Sequence, residues 1–237
     1  MNAGIITIGD ELLSGDIENS NATWLAARLD ERGVSTKEIS VIPDETTPIA
    51  STVSDFSTRF DAVVITGGLG STPDDVTIDG VAAAFEVAIE PDEDARQEIA
   101  AAITAIREDH PTFEFDIDAA VRYPARGELI PNTEGIVPGW IIENVHVIPG
   151  LPEEMKATFE RISHEFSGER RSRHFHSTVP ESHLNDLLNE VRDRFEVRVG
   201  CYPGDEVKHI KLSSTDTDRL ERAAEWVAGR SEIDTDP

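Results

Sequence analysis

The sequence predicts an α/β protein, with a mostly parallel sheet covered by helices on both faces, followed by a small α+β domain. Strand-like apolar runs alternate with segments of helical periodicity over the first half of the chain. One of these runs, residues 62–65, is apolar and β-branched, as in a buried parallel strand. It leads into a turn that contains Gly67, Gly68 and Gly70. Strands and helices that alternate in this way along the chain are typical of open parallel sheets.

The predicted elements of the first half follow from apolar spacing. Over 46–58, for example, Ile49, Val53 and Phe56 fall on one helical face. In chain order the predictions are strand 3–8, helix 19–32, strand 34–42, helix 46–58, strand 62–65, helix 75–87 and helix 92–109.

The pattern becomes irregular after residue 110, and a second domain is predicted near residue 168. We predict a strand at 126–130, a hairpin of 140–143 with 145–148, and a helix that ends near 166. From residue 167 onward the chain has 15 acidic and 11 basic residues, against 32 and 10 before it. The domains are therefore predicted as 1–168 and 169–237. The second has the order βαββα: strand 174–179, helix 181–194, strands 196–202 and 206–213, and helix 216–229, with a disordered end at 231–237.

Composition limits the possible functions. The 237 residues include 47 acidic and 21 basic ones, for a net charge of −26, and lysine is rare. Such a surface suits a halophilic protein, because concentrated salt screens its self-repulsion. We expect no nucleic-acid partner, since phosphates would meet like charge. The single cysteine excludes an intrachain disulfide, and no apolar run is long enough for a membrane span. A cytoplasmic protein with no membrane partner is expected.

The glycine turn predicts an anion site. A strand, a glycine turn and a helix start place main-chain N–H groups where phosphate oxygens bind. Thr72 is a suitable N-cap, with Pro73 at the first helical position and Asp75 in a capping-box arrangement. Asp74 and Asp75 would repel a bare phosphate. Either they only cap the helix, or a divalent cation lies between carboxylate and phosphate.

Three loops should meet at the carboxyl edge of the sheet, where open α/β sheets bind ligands. They are residues 9–15, 66–75 and 149–154, and the third joins only if its strand is parallel to the others. Their acidic side chains are hard oxygen ligands for Mg²⁺ or Mn²⁺, and they are Asp10, Glu11, Asp74, Asp75, Glu153 and Glu154. For Glu153 and Glu154 we favour a structural role as solvated acids of a first helical turn, and Asp10 could equally be a turn or cap residue. Asn19, Ser20, Asn21 and Asn132 could hydrogen-bond a base, a ribose or a pterin. For Asn19 or Ser20, the N-cap of the first helix is the favoured interpretation.

These motifs resemble the molybdopterin-binding fold, in the branch of the competence/damage-inducible protein A (CinA). The matching segments are Gly9-Asp10-Glu11-Leu12-Leu13-Ser14-Gly15, Asn19-Ser20-Asn21, Thr66-Gly67-Gly68-Leu69-Gly70-Ser71-Thr72-Pro73-Asp74-Asp75, and Pro149-Gly150-Leu151-Pro152-Glu153-Glu154-Met155. The resemblance covers about residues 3–166 and extends more weakly into the second domain. Relatives have Gly-Thr-Ala-Pro-Gly where this chain has Gly135-Ile136-Val137-Pro138-Gly139. The missing threonine hydroxyl would weaken a polar contact to ligand.

The resemblance implies a three-layer α/β/α core and a metal-dependent nucleotide pyrophosphatase acting on ADP-ribose or FAD. The implied cofactor is a divalent metal (Mg, Mn or Co), with molybdopterin possible but not required. Molybdopterin adenylyl transfer, or non-catalytic binding of a nucleotide or pterin, is the alternative, and we expect a homo-oligomer (dimer or trimer). The candidate residues are Asp10 and Asp75 for catalysis, Asp10, Asp74 and Asp75 for metal, and Gly67, Gly68, Gly70, Ser71, Thr72, Asn21, Pro149 and Gly150 for phosphate or ligand.

Overall fold

The computed structural model describes residues 1–70, 72, 75–204 and 207–234. The chain divides into two compact units. The larger contains Met1–Leu29 and Ser35–Ser167, and the smaller contains Asp30–Val34 together with the chain from Gly168 onward. Several bonds join this short segment to the smaller unit: the Gly168 amide donates to the Arg32 carbonyl at 3.0 Å, and Arg170 and Lys211 both pair with Asp30.

The larger unit alternates strands and helices. Its strands are β1 (Asn2–Ile8), β2 (Ser35–Ile42), β3 (Ala62–Thr66), β4 (Ile89–Pro91), β5 (Arg122–Pro124), β6 (Glu128–Ile130), β7 (Gly139–Ile142) and β8 (Val145–Ile148). Its helices are α1 (Asp10–Ser14), α2 (Ser20–Glu31, whose last two residues cluster with the smaller unit), α3 (Thr46–Arg59), α4 (Thr77–Ala84), α5 (Glu93–Asp109), α6 (Ile117–Ala120) and α7 (Pro152–Ile162), and a 3₁₀ turn follows at Ser163–Glu165.

The central sheet of the described residues has six strands in the order β2-β1-β3-β8-β7-β6. The first four are parallel, and β7 and β6 run antiparallel to their neighbours. Because β8 pairs with β3 in parallel, the chain leaves Ile8, Thr66 and Ile148 at the same edge of the sheet. The predicted α/β class with a mostly parallel sheet is confirmed.

Helices cover both faces of this sheet. On one face, Ile6 and Ile65 share an apolar cluster with Val53 and Phe56 of α3 and Val81 of α4. On the other face, the ring of His146 in β8 lies 4.8 Å from that of Phe166. Phe166 stacks on Phe159 of α7, and Phe159 contacts Trp24 of α2 edge-on. Successive strand residues point to opposite faces, so a core forms on each side of the sheet. The three-layer arrangement is confirmed.

The smaller unit has the predicted βαββα order. Its elements are β9 (Arg171–Ser177), α8 (Glu181–Phe195), β10 (Arg198–Tyr202), β11 (Lys208–Ser214) and α9 (Thr217–Ala228). Among the described residues its antiparallel sheet runs β10-β11-β9. Ile210 and Leu212 of β11 pack against Leu184 of α8 and Val227 of α9, so both helices lie on one face of the sheet.

Several predicted boundaries were wrong. The loop predicted after β1 contains the helix α1, and β4, β5 and α6 occupy stretches where no element was predicted. Strand β9 begins at Arg171, ahead of the predicted 174. The predicted strand start at Glu206 lies outside the described residues. Residues 231–234, predicted as disordered, are packed: Ile233 is buried and the Asp234 amide donates to the His176 carbonyl at 3.0 Å. In the part of the chain that the structure describes, no helix is long and apolar enough to cross a membrane.

Candidate functional site

A cavity of about 520 Å³ lies at the carboxyl edge of β1, β3 and β8. Residues after β1 line it, as do the turn after β3 and the segment from Pro149 to Pro152. The three loops expected to meet therefore do meet. Tight turns at the ends of adjacent parallel strands leave this crevice open, because each helix must turn back over a face of the sheet.

The glycine turn presents main-chain donors to the cavity. Gly67 and Gly68 have φ of 109° and 64°, the left-handed region that side chains disfavour. Thr77, at the start of α4, holds the turn from behind: its hydroxyl donates to the Gly67 carbonyl at 2.9 Å, and its amide to the Gly68 carbonyl at 3.3 Å. Within the described residues, the amides of Gly68 and Leu69 have no acceptor, and both residues line the cavity. Amides arranged in this way bind anions.

Asp75 closes the turn instead of capping a helix. Its carboxylate accepts from the amides of Gly70 at 2.7 Å and Thr72 at 2.8 Å, and from the Thr72 hydroxyl at 2.5 Å. The predicted helix start at Asp75 was wrong. Helix α4 begins at Thr77, with Val76 at the N-cap position and no side-chain cap, and it ends at Ala84 rather than 87. The pairing of Thr72 with Asp75 looks like a capping box in sequence, but it stabilises the loop.

Asn21 fixes two walls of the cavity together. Its amide nitrogen donates to the Gly150 carbonyl at 2.7 Å and to the Thr66 hydroxyl at 3.4 Å. The Thr66 hydroxyl in turn donates to the Pro149 carbonyl at 2.6 Å. The side-chain oxygen of Asn21 is buried and has no partner within the described residues. A buried acceptor without a donor is costly, so a ligand donor is expected there.

The cap of α2 agrees with the sequence-based expectation. The Asn19 side-chain oxygen accepts from the Ala22 amide at 3.2 Å. Its side-chain nitrogen donates to the Thr7 hydroxyl at 3.0 Å. Asn19 is therefore the structural residue of this pair, and Asn21 is the one whose oxygen is available to a ligand.

The cavity is acidic and, among the described lining residues, contains no Lys, Arg or His. Its carboxylates are Glu11, Glu18, Asp44, Asp75 and Glu154. Asp44 was missed at the sequence level, although it comes two residues after β2, at the carboxyl edge where ligand residues are expected. It accepts the amide of Asp10 at 2.9 Å, and Glu154 accepts from Asn132 at 2.7 Å.

These carboxylates do not form a preassembled metal site. Within residues 1–70, 72, 75–204 and 207–234, no group of three or more His, Cys, Asp or Glu side chains is arranged to hold an ion. The oxygen donors are still of the hard type that Mg²⁺ and Mn²⁺ prefer. The donor set therefore fits a cation that takes its other ligands from a bound phosphate and from water.

One wall of the cavity is apolar. It contains Phe115, Ile136, Val137 and Leu151, and Leu151 is 66% exposed. Tyr123 supports this wall by donating from its hydroxyl to the Pro138 carbonyl at 3.0 Å. Burial raises the pKa of Tyr123 well above its usual range, and Asp92 and Glu98 add to the effect. Ile136 stands where the family motif has a threonine, and Val137 where it has an alanine, so this wall suits a flat apolar ring.

The structure brings together most of the predicted ligand residues. Those on the cavity lining are Asn21, Gly67, Gly68, Gly70, Asp75, Pro149 and Gly150. Asp10 and Thr72 are described but do not line it, and they contact it through Asp44 and Asp75. Ser71 and Asp74 lie outside the described residues, so their predicted roles remain predictions.

Comparison with known proteins agrees with this geometry. A family model described as "Probable molybdopterin binding domain" matches residues 4–167. A protein of Archaeoglobus fulgidus is 36% identical over 221 residues, covering 92% of this chain and 93% of its own length. The protein TK1472 of Thermococcus kodakarensis is 33% identical over 244 residues, with 97% of each chain covered.

A solved structure extends the comparison to the fold. The crystal structure of "the protein CinA with unknown function" from Thermoplasma acidophilum superposes with a TM-score of 0.63 at 27% identity. The match covers 70% of this chain and 99% of that one. The CinA-like resemblance seen in the sequence is confirmed, and this chain belongs to the molybdopterin-binding domain family.

Proposed function

We propose that this protein hydrolyses nucleotide pyrophosphates, such as ADP-ribose or FAD, with a divalent cation. One observation supports this most strongly: the amides of Gly68 and Leu69, which have no acceptor in the described part of the chain, line the same cavity as the carboxylates of Asp44 and Asp75. Amide donors suit the oxygens of a diphosphate, and the carboxylates suit a cation bound to it.

The requirement for a cation follows from the negative charge of the cavity. Without one, a diphosphate would enter a cavity that has several carboxylates and, among its described lining residues, no Lys, Arg or His. We assign the cation, Mg²⁺, Mn²⁺ or Co²⁺, to Asp44 and Asp75. When bound, it would neutralise phosphate charge and make a coordinated water a better nucleophile. Asp10, placed in the metal site by sequence, is assigned the role of holding Asp44 through its amide.

The other residues orient the substrate. The Asn21 side-chain oxygen would accept a hydrogen bond from a ribose hydroxyl or a base N–H group. The wall of Phe115, Ile136 and Leu151 would pack against an adenine or isoalloxazine ring. A substrate with a diphosphate and a flat ring satisfies both requirements, which inorganic pyrophosphate does not.

Glu11 is the proposed general base. Asp44, Asp75 and Glu154 already accept hydrogen bonds from the chain, whereas the carboxylates of Glu11 and Glu18 have no such partner among the described residues. Of these two, Glu11 is nearer in the chain to the end of β1, the strand that pairs with the strand before the glycine turn. It would take a proton from water as the water attacks phosphorus and the bridging P–O bond breaks. From ADP-ribose the products are AMP and ribose 5-phosphate.

The direct test is AMP release from ADP-ribose, FAD and NADH in concentrated KCl with Mg²⁺, Mn²⁺ or Co²⁺. We expect release that EDTA abolishes and that Glu11→Gln slows by about 100-fold. Glu108→Gln, an exposed acid of α5 outside the cavity, is the matched control and should be unchanged. No AMP from any combination would reject the proposal.

The family description names molybdopterin binding, and a pterin ligand supports a second candidate, adenylyl transfer from ATP to molybdopterin in the same cavity. Incubation with Mg-ATP and molybdopterin, followed by mass spectrometry, separates the two. An adenylylated pterin without hydrolysis of ADP-ribose would assign the transferase. Binding of a nucleotide or pterin by calorimetry, with no turnover of either kind, would assign a non-catalytic binding protein.

We further propose a cytoplasmic homo-oligomer, either a dimer or a trimer. Light scattering in concentrated salt measures the mass directly. A monomer at all protein concentrations would contradict the oligomer.

A further inference from the structure

Glu154 is the cavity carboxylate that lies against the loop before β7. It belongs to the first turn of α7 and is half-buried. A Cβ atom placed on Gly135 would be 2.1 Å from the Glu154 Cδ atom, so only glycine leaves room for the carboxylate there. Gly135 directly precedes Ile136 and Val137 of the apolar wall. The carboxylate is therefore placed beside the wall that suits a flat ring.

Asn132 sets the orientation of this carboxylate. Its side-chain nitrogen donates to the Glu154 carboxylate at 2.7 Å and to the Val137 carbonyl at 3.0 Å. Its side-chain oxygen accepts from the Glu134 amide at 3.2 Å. Asn132 is described but does not line the cavity, and both of its N–H groups are used within the chain. They are therefore unavailable to a base or a pterin, and Asn132 is a positioning residue.

The Glu154 carboxylate can accept further hydrogen bonds. In the part of the chain that the structure describes, Asn132 is its hydrogen-bond donor, and no Lys, Arg or His pairs with it. The two oxygens of a carboxylate accept at about four positions. A partly buried charge with a single donor is costly, so the remaining positions favour a donor group of a ligand.

The strand order separates Glu154 from the proposed cation. In the order β2-β1-β3-β8, Asp44 follows β2, the glycine turn follows β3 and Glu154 follows β8. Because neighbouring strands are about 4.8 Å apart, the ends of β2 and β8 lie roughly 14 Å apart, on opposite sides of the glycine turn. A diphosphate at that turn would have the cation on one side and the ring, beside Glu154, on the other.

We propose that Glu154 selects the ring of the substrate by accepting a hydrogen bond from an exocyclic amino group. Rings that carry such a group, adenine for example, bind better than hypoxanthine, which has an oxygen at that position. An ionised carboxylate only accepts hydrogen bonds, and it repels a carbonyl oxygen. This selection rests on the proposed function, which places the diphosphate at the glycine turn.

Asn21 is better placed than Glu154 to contact the ribose. In a nucleotide the ribose lies between the phosphates and the ring, so its acceptor should lie near the glycine turn. The Asn21 side chain contacts the Thr66 hydroxyl and the Gly150 carbonyl, and its oxygen has no donor among the described residues. The amino group of the ring is then the donor for Glu154.

Glu154→Gln should reverse the selection without removing the Asn132 contact. Asn132 donates, so it would hold the oxygen of the new amide and leave the NH₂ group towards the ligand. The group that faces the ring would then be a donor, which favours the oxygen of hypoxanthine. Glu153→Gln is the matched control, because Glu153 is exposed, pairs with Lys156 at 2.8 Å and does not line the cavity.

The test is calorimetry of the full chain with AMP, IMP and purine riboside monophosphate, in concentrated KCl with Mg²⁺. All of these nucleotides share ribose and phosphate, and purine riboside has neither the amino group nor the oxygen. We expect AMP to bind at least about tenfold more tightly than the other two. Glu154→Gln should remove or reverse that ratio, and Glu153→Gln should keep it. Asn132→Ala should bring the ratio towards one, because the carboxylate is no longer held.

Circular dichroism checks the folding of each variant. Equal affinity of the wild type for AMP and IMP, no binding of either, or a ratio that Glu154→Gln leaves unchanged would overturn the proposal. If Glu154→Gln instead weakens AMP more than it weakens 2′-deoxy-AMP, the carboxylate contacts the ribose and the proposal fails. Preference for AMP together with no AMP release from ADP-ribose would reject the hydrolase but retain the selection by Glu154.

Discussion

The Asn21 side chain of α2 donates a 2.7 Å hydrogen bond to the carbonyl oxygen of Gly150, a residue 129 positions later in the chain. This contact joins the first turn of α2 to the loop after β8. The side-chain oxygen of Asn21 has no donor among the described residues, so this residue both joins two walls of the cavity and offers an acceptor to a ligand.

Asn21→Ala should lower both stability and ligand affinity. Losing the donor removes the hydrogen bond to the exposed Gly150 carbonyl, at a cost of about 0.5–1.5 kcal/mol in the free energy of unfolding. Asn21→Asp should be worse, because a carboxylate would face that carbonyl. Denaturant unfolding and calorimetry with ADP-ribose measure the two effects. Asn185→Ala, on the exposed side of α8, should change neither; if Asn21→Ala also changes neither, the contact is unimportant.

Loss of the Thr77 hydroxyl alone should lower the stability of the protein. The residue is fully buried and donates to the Gly67 carbonyl at 2.9 Å. Thr77→Val keeps the shape but leaves that carbonyl unpaired, so we expect about 1–3 kcal/mol of destabilisation and a looser glycine turn. Thr77→Ser retains the donor and should recover most of the loss. Equal unfolding midpoints for the valine and serine variants would rule out this role.

Thr72 and Asp75 should be energetically coupled. Asp75 accepts from both the amide and the hydroxyl of Thr72. A double-mutant cycle of Thr72→Val and Asp75→Asn should give a coupling energy of about 0.5–3 kcal/mol in unfolding. Additive effects within about 0.3 kcal/mol would mean that the turn is held by other contacts.

Tyr123 should make the fold sensitive to alkali. Burial raises the pKa of its phenol, so the folded state keeps the proton that the unfolded chain loses near its ordinary value of about 10. Its contribution to stability is complete below that pH. Above it, stability should fall by about 1.4 kcal/mol per pH unit from this group. Urea midpoints from pH 9 to 11 should fall less steeply for Tyr123→Phe than for the wild type, and parallel curves would contradict this.

Salt should stabilise the protein. With a net charge of −26, self-repulsion is strong at about 0.1 M ionic strength and is screened over about 3 Å at 1 M. The thermal midpoint should therefore rise steadily with KCl. Sucrose, which is uncharged, is the control for general solvent effects. A midpoint that is flat or falling in KCl would contradict adaptation to salt.

The position of the site could be predicted because it depends on topology. Once β1, β3 and β8 were recognised as strands, the parallel-sheet rule placed the loops 9–15, 66–75 and 149–154 near one another. The same rule would have found Asp44, which comes just after β2. Asp44 follows β2, the edge strand of the sheet, whereas the three loops predicted to meet follow the inner strands β1, β3 and β8.

Other features depended on tertiary contacts. Thr72 and Asp75 match a capping box, but the hydrogen bonds of Thr77 to the glycine turn set the start of α4, and no local pattern reports them. The apolar wall comes from an irregular stretch. No periodic pattern of apolar residues surrounds Phe115 or Ile136, so the sequence does not place them. Their position follows from tertiary packing, which includes the Tyr123 hydrogen bond to Pro138.

A crystal structure with ADP-ribose and Mn²⁺ in concentrated KCl tests the central claim most directly, because manganese is located by its anomalous scattering. The diphosphate should lie within hydrogen-bonding distance of the Gly68 and Leu69 amides, with the ring on the wall of Phe115 and Leu151. The manganese should lie between phosphate oxygens and the carboxylates of Asp44 and Asp75. Nucleotide bound elsewhere, or an empty cavity at saturating ligand, would contradict the assignment.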